Sequence, residues 1–401
     1  MEITQSDNPR INSILRGQYS NVELTLPCET ENLAYPGKKD LRRARGLEDV
    51  LADRNRVIIA PEIVGDLSRE VRGKIKVMAS PRQCGRLLEA DNEVLIDGER
   101  HVVTFKGVGA TTYAVKSKLQ GMIEESPDGE KKEKLMMAQE LLKRRRFHEQ
   151  LDLGMLDLRQ GAKEALVNAD MEKLGARVQK SLSIDQIKAM PDANGEMREM
   201  EHFKKLGCVA DDAHPVILAR AMRTNFRILD LVNLKMSNQR GALDSVIQHL
   251  CQRNQEQKSQ YLTRMLRELV DNELMLILEG YQVGNQYWPT HARNVSCEAE
   301  ELDLEEMKKS DKPELSKNQS WAEVSRALIY AVDPTFYLME KKNVDALVRE
   351  IIEKRVKGSN VPKSSRKEMR ETFWSQWKDS EDQIFGRAFI RLAGRAPSIS
   401  A

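Results

Sequence analysis

Short β-rich segments between residues 55 and 113 constrain the fold of this chain most strongly. Four of them, RVIIAPEIV, KIKVMAS, EVLIDG and HVVTFKGVG, are separated by turn-forming residues. Asp97 and Gly98 stand between the last two segments, and an Asp-Gly pair between β-rich runs is a strong hairpin signal. These segments predict a small, mainly antiparallel sheet in the N-terminal part of the chain.

Helical patterns dominate after residue 150. The segment GAKEALVNADMEKLG has apolar residues at helical spacing, and Gly175 is its predicted C-cap. HPVILARAMRT is predicted as one more strand, whereas residues 1 to 50 are predicted as irregular apart from a short helix. Apolar periodicity predicts further helices near residues 243 to 251, 262 to 278, 321 to 332 and 343 to 356.

Composition narrows the class of protein. The 401 residues suffice for two or three domains or for one two-lobed unit, and 40% of them are apolar. The net charge of +2 gives no reason to propose nucleic acid as the main partner. The five cysteines are far apart and form no Cys-x-x-Cys pair, which favours a reducing compartment over zinc or disulfides. No secretory h-region or 18-residue apolar run is present, so we expect a cytoplasmic protein without a membrane partner.

Lys106 and Glu164 form the first candidate pair of functional residues. Lys106 ends a β-rich segment and is followed by Gly107, which permits close backbone approach. Glu164 lies on a predicted helix, and a strand lysine paired with a helix glutamate binds nucleotide phosphates in kinase-like folds. The alternative is that the lysine and the glutamate are both ordinary surface residues.

Arg220 and Arg227 are seven residues apart in LARAMRTNFRI. Guanidinium groups suit bidentate binding of phosphate, although surface arginines would give the same pattern. Asn294 and Asp303 offer oxygen ligands suited to Mg²⁺ or Mn²⁺, and His291 precedes them. The many glutamates around Asp303 leave open an acidic, solvated segment instead.

The order of these parts resembles that of the selenoprotein O family of kinase-like protein adenylyltransferases. KGVGATTY is similar to that family's Lys-Gly-Ala-Gly-x-Thr-x-Tyr segment, and LRQGAKEALVNADMEKLG to its glutamate-bearing helix. ARAMRTNFRI keeps the spacing of its two arginines, and VGNQYWPTHARNVS, followed by Asp303, keeps that of its metal ligands. Cys84-Gly85-Arg86 is weakly similar to its Gly-Asp-Gly-Arg loop. The similarity covers about residues 84 to 304.

The resemblance implies a protein-kinase-like, two-lobed α+β fold. The β-rich N-lobe would span residues 1–230, with a charged helical insertion at about 115–150. The mainly α-helical C-lobe would span 231–401 and carry the metal-binding loop 284–306. The implied activity is transfer of AMP from ATP, with Mg²⁺ or Mn²⁺, to Ser, Thr or Tyr hydroxyls of a protein substrate.

The resemblance also assigns roles to individual residues. Asn294 and Asp303 would hold the metal, while Lys106, Glu164 and His291 would serve catalysis. The nucleotide would be bound by Gly85, Arg86, Lys106, Gly107, Arg220 and Arg227.

Arg293 is the main departure from the family, which has an aspartate acting as base immediately before its metal asparagine. A guanidinium cannot accept a proton at neutral pH, so His291 is the candidate substitute. Two alternatives to adenylylation therefore stay open. One is phosphotransfer with ATP in the ordinary orientation, and the other is a pseudoenzyme that acts by binding nucleotide or protein.

Overall fold

In the computed structural model the chain is described within residues 20–34, 47–109, 129–133, 155–282, 295–309 and 341–375, with short gaps inside these ranges. The described residues form an α+β protein with one large antiparallel sheet and several helices. They belong to two compact units: Met1–Asp170 with Gln179–Asn225, and Met171–Val178 with Phe226–Ala401. The predicted helix at 321 to 332 and almost all of the predicted insertion at 115–150 lie outside the described residues.

The first unit is built on a ten-stranded sheet in which every pair of neighbouring strands is antiparallel. The strand order is β2-β8-β10-β6-β5-β4-β1-β3, with β7 paired to β10 and β9 paired to β8. The strands are β1 (Ser20–Pro27), β2 (Glu29–Ala34), β3 (Arg56–Ile59), β4 (Lys76–Pro81), β5 (Leu87–Ile96), β6 (Glu99–Lys106), β7 (Leu156–Asp157), β8 (Lys180–Pro191), β9 (Met197–Glu199) and β10 (Pro215–Met222).

The predicted hairpin at Asp97-Gly98 is confirmed. Ile96 pairs with Glu99 across the turn, and both turn residues have positive φ, 54° at Asp97 and 84° at Gly98. A two-residue turn of this kind matches the twist of the flanking strands, and aspartate and glycine adopt positive φ at low cost. The turn therefore sets the register of β5 against β6 next to it. The register shifts between Glu89 and Glu93 of β5, and beyond this shift Lys106, at the end of β6, pairs with Leu87.

Four short or medium helices accompany the sheet: α1 (Leu47–Leu51), α2 (Arg69–Arg72), α3 (Leu158–Lys173) and α4 (Met200–Lys205). The buried stripe of α3 includes Gly161, Glu164, Ala165 and Asn168, which recur at helical spacing. The predicted C-cap at Gly175 is confirmed, because its φ is 78° and the next residue, Ala176, donates its N–H to Met171 O at 3.0 Å.

Two sequence-based expectations for the first unit were wrong. Residues 1 to 50 contain strands β1 and β2, although the polar composition of this segment predicted an irregular chain. Strand β8 was missed because it is buried on both faces and so lacks the alternation that marks a half-exposed strand. Two of its polar side chains bond to each other, since Ser183 Oγ donates to Asp185 Oδ2 at 2.6 Å.

The second unit is mainly helical among its described residues. Its helices are α5 (Ile228–Met236), α6 (Arg240–Asn254), α7 (Lys258–Leu278) and α8 (Lys341–Gly358), and its two short strands are β11 (Tyr281–Gln282) and β12 (Lys308–Lys309). The predicted apolar face of α6 is confirmed, since its buried residues are Leu243, Val246, Ile247, Leu250 and Cys251.

Helix α8 packs along α7 through apolar and charged contacts. Leu347, Val348, Ile351 and Ile352 of α8 are buried. Arg267 of α7 pairs with Glu350 at 2.7 Å, and Arg355 of α8 pairs with Asp271. In the described part of the chain, no helix combines the length and apolar character that a bilayer crossing requires.

Candidate functional site

Lys106 occupies the interior of the first unit. On β6 it lies opposite Leu87 of β5 and Leu218 of β10, and its side chain is fully buried. An ammonium group removed from water requires strong partners. Lys106 Nζ donates to Glu164 Oε2 at 2.7 Å, across 58 residues of sequence.

The Glu164 carboxylate is the centre of a buried polar cluster. Its Oε2 accepts from Lys106, while its Oε1 accepts from Arg220 Nη1 at 3.0 Å and from Gln179 Nε2. Glu164, Lys106 and Arg220 all have fully buried side chains. Two cations thus converge on one carboxylate that is aimed inward by α3.

Arg220 is placed by an irregularity in the sheet. The β8–β10 ladder shifts register between Ala219, which faces Ser183, and Arg220, which faces Ser181. Such bulges redirect side chains and are common beside functional sites. On its other side Arg220 faces Thr104 of β6, and its Nε donates to Thr104 Oγ1 at 3.2 Å.

Gln179 and Asn168 belong to the same cluster and were missed at the level of sequence. Gln179 immediately precedes β8, and Asn168 lies one helical turn after Glu164. Asn168 Nδ2 donates to Gln179 O, and Asn168 Oδ1 accepts from Ser181 N at 3.3 Å. The available signal was a glutamate and an asparagine four residues apart within an otherwise apolar helical stripe.

Gly107 is required by packing within the protein. Its φ is 96°, and a Cβ at this position would lie 2.3 Å from Val216 O and 2.8 Å from Leu156 Cβ. Strands β7 and β10 therefore approach the backbone so closely that only glycine fits. The close approach expected at this glycine is made by the protein's own chain.

Arg227 belongs to the second unit and precedes α5. Its backbone N–H donates to Asp230 Oδ2 at 2.8 Å, which is the contact of a capping box. Burial raises the pKa of Asp230 to about 6, although the hydrogen bond from Arg227 opposes the shift. Arg227 also forms an isolated antiparallel bridge with Ser296.

A tight hairpin at residues 295–301 occupies the region of the predicted metal loop. Val295 pairs with Glu301, Ser296 N donates to Glu300 O at 2.9 Å, and Ala299 has a φ of 59°. Glu298 Oε2 contacts Arg264 Nη1 of α7 at 3.0 Å, which ties the hairpin to that helix.

Several predicted site residues lie outside the described residues: Gly85, Arg86, His291, Arg293, Asn294 and Asp303. Within the described ranges, no group of three or more His, Cys, Asp or Glu side chains could hold a metal ion.

The second unit also contains a buried carboxyl pair. Glu273 of α7 is fully buried, and Glu301 of the hairpin is 1% exposed. Burial raises the pKa of Glu273 to about 8, and a hydrogen bond with Glu301 opposes that shift. Glu273 is therefore mostly protonated at neutral pH.

Comparison with known proteins adds no assignment: the chain matches no protein-family model and no curated protein significantly. The chemistry of the site therefore has to be judged from its own residues.

Proposed function

We propose that this protein is an ATP- and Mg²⁺-dependent protein adenylyltransferase with a kinase-like, two-lobed fold. The observation that carries the proposal is the buried ion pair between Lys106 on a strand and Glu164 on the following described helix. Protein kinases hold the lysine that binds nucleotide phosphates by such a pair between a strand and a helix.

The strand order supports the same fold. Strands β4, β5 and β6 are consecutive neighbours in the sheet, and Lys106 lies on the third of them. Protein kinases likewise carry this lysine on their third strand. Strands β10 and β8 follow β6 on its other side in the sheet, and α3 precedes both in the chain.

Arg220 favours adenylylation over ordinary phosphotransfer. It shares the Glu164 carboxylate with Lys106, so its guanidinium lies inside the unit beside the lysine. In the selenoprotein O family, an internal arginine pair holds the terminal phosphate and leaves the α-phosphate facing outward. Arg220 would take one place in that pair, and Arg227 the other. Because the charged cluster is fully buried, binding of ATP there would require it to become exposed.

The proposed reaction transfers AMP to a hydroxyl group. The oxygen of a protein Ser, Thr or Tyr attacks the α-phosphorus, and the bond from that phosphorus to the β-bridging oxygen breaks. Pyrophosphate leaves with the bonding electrons, and the hydroxyl proton passes to a base. His291 is the candidate base because Arg293 cannot accept a proton. Lys106 and Arg220 would neutralise and orient the phosphates.

The candidate metal ligands are Asn294 and Asp303, whose amide and carboxylate oxygens are donors that Mg²⁺ prefers. The described hairpin supports binding of one metal ion by both residues. Its paired ends, Val295 and Glu301, are one residue from Asn294 and two residues from Asp303 in sequence. When bound, Mg²⁺ would neutralise phosphate charge.

Labelled ATP tests the proposal directly. The full chain is incubated with ATP labelled at the α- or the γ-phosphate, with Mg²⁺ or Mn²⁺, and with an acceptor protein. We expect α-label on protein, lost in Lys106→Ala and Asp303→Ala but retained in Lys188→Ala, whose lysine is exposed on β8. Transfer of γ-label would favour a kinase. No label and no thermal shift with ATP would favour a pseudoenzyme, which the arginine at position 293 also favours.

A further inference from the structure

The orientation of the Glu164 carboxylate depends on more than its two cations. Oε2 faces Lys106, whereas Oε1 is shared by Arg220 and Gln179. If Gln179 did not occupy Oε1, the carboxylate could rotate, and its two oxygens could be redistributed between the cations. Gln179 thus acts on the two phosphate-binding candidates through the carboxylate between them.

A glutamine at position 179 does not favour the stability of the fold. Its side chain is fully buried, and its Oε1 accepts no hydrogen bond from any described residue. A buried amide oxygen without a donor is destabilising, and an apolar side chain of similar shape would avoid that cost. The amide is useful here for its N–H group, which donates to Glu164.

Asn168 holds the backbone of Gln179 in place. Its amide N donates to Gln179 O, and its amide O accepts from Ser181 N, so one side chain spans the start of β8. These contacts involve the backbone of residues 179 and 181 and not the side chain of Gln179, so a substitution at residue 179 leaves them intact. The side chain of Gln179 can therefore be changed without releasing the strand.

We propose that Gln179 is a positioning residue, which fixes the Glu164 carboxylate so that it serves Lys106 and Arg220 at the same time. This inference rests on the proposed function in one respect: the ordered cations are taken to bind the phosphates of ATP. The local part of the inference, that Gln179 controls the environment of Lys106, can be tested without ATP.

The first experiment compares Gln179→Met with Gln186→Met in the full chain. Methionine is unbranched like glutamine, and Gln186 is a partly exposed glutamine on β8, which makes it a matched control. Melting temperature, affinity for ATP by calorimetry, and acetylation of Lys106 by acetic anhydride are measured, the last by mass spectrometry. For Gln179→Met we expect a melting temperature within about 2 °C of the native value. We also expect an affinity about tenfold weaker and faster acetylation of Lys106.

These outcomes separate the inference from the proposed function. If the native protein does not bind ATP, the proposed function fails, and the acetylation of Lys106 alone decides the role of Gln179. Unchanged acetylation in Gln179→Met would overturn the inference, as would unchanged ATP affinity where the native protein binds ATP. A loss of more than about 5 °C in melting temperature would assign Gln179 to stability and overturn it too.

A second variant, Gln179→Glu, gives a pH profile that a merely structural role would not produce. A protonated carboxyl can donate to Glu164 in place of the amide, whereas an ionised one repels it. We expect its acetylation rate at Lys106, relative to that of Gln186→Glu, to be near unity at low pH and to rise with increasing pH. A constant ratio from pH 5 to 9 would contradict the proposed role.

Discussion

Glu164 and Glu273 are both fully buried, one in each unit, yet their surroundings differ in charge. Glu164 accepts hydrogen bonds from Lys106 and Arg220, which stabilise its ionised form. Glu273 lies beside another carboxyl, that of Glu301, and burial raises its pKa to about 8. The same side chain at the same depth is therefore an ionic centre in one unit and a mostly neutral acid in the other.

Glu298 of the second unit is an intermediate case. Its side chain is 1% exposed, but its cationic partner, Arg264, is 23% exposed and also contacts Glu256 and Glu268. Water can screen this pair, which it cannot do for Lys106 and Glu164. Removal of one partner should therefore have graded consequences, largest where both charges are buried.

Glu164→Ala is expected to have the largest effect. It leaves Lys106 and Arg220 buried without their shared carboxylate, and breaking a buried pair in this way costs about 3–5 kcal/mol of unfolding free energy. Urea denaturation of the full chain measures the change. The matched control is Asp170→Ala, which removes an exposed acid from the same helix. Equal losses in the two variants would show that the buried cluster does not stabilise the first unit.

Glu273→Gln tests the second buried carboxyl through pH. The pKa of Glu273 is raised from 4.5 to about 8 on folding, so the unfolded state releases its proton first as pH rises. Stability is thus fully present below about pH 4.5 and is lost as pH increases towards 8. Glutamine resembles the protonated acid and has no such loss.

The variant should therefore become more stable than the native protein by about 2 kcal/mol between pH 5 and 7, as measured by urea unfolding at each pH. Glu279→Gln, at an exposed position just after α7, should show no comparable trend. A parallel pH dependence of native protein and Glu273→Gln would mean that Glu273 is ionised in the folded state.

The fold was predictable from sequence where local chemistry decides the structure. The Asp97-Gly98 turn fixes a hairpin by positive φ at two adjacent residues, and the apolar stripe of α6 is regular. Strand β8 was not predictable in this way, because it is covered on both faces and buries polar residues such as Asp185. Its stability comes from partners distant in sequence, including Asn32, which donates to Asp185 Oδ1 at 2.8 Å.

The candidate site also depends on contacts between residues that are distant in sequence. Lys106 and Glu164 are 58 residues apart, and no local pattern links them, so only their order along the chain and the family resemblance suggested the pair. Gln179 lies in the connection between α3 and β8, and the path of this connection brings it to the cluster. No short sequence motif indicates that path. Polar residues within a buried stripe are the signal that could have indicated it.

Arg264→Ala tests the intermediate case. The buried Glu298 carboxylate still accepts a hydrogen bond from Asn254 Nδ2 at 2.8 Å in this variant. We expect a loss of about 1–2 kcal/mol in unfolding free energy, smaller than that of Glu164→Ala. Arg240→Ala, which removes an exposed arginine from α6, is the control. A loss equal to that of Glu164→Ala would show that solvent does not screen this network.

Arg267→Ala should have the smallest effect, because its partner on α8 is an exposed charge. Arg267 and Glu350 side chains are 44% and 57% exposed, although their atoms are 2.7 Å apart. Screening by water and salt, and the entropy of two long side chains, offset the attraction of such pairs. We expect no measurable change in the melting temperature at 150 mM salt. A decrease of more than about 3 °C would show that charge, and not the buried apolar face of α8, holds that helix against α7.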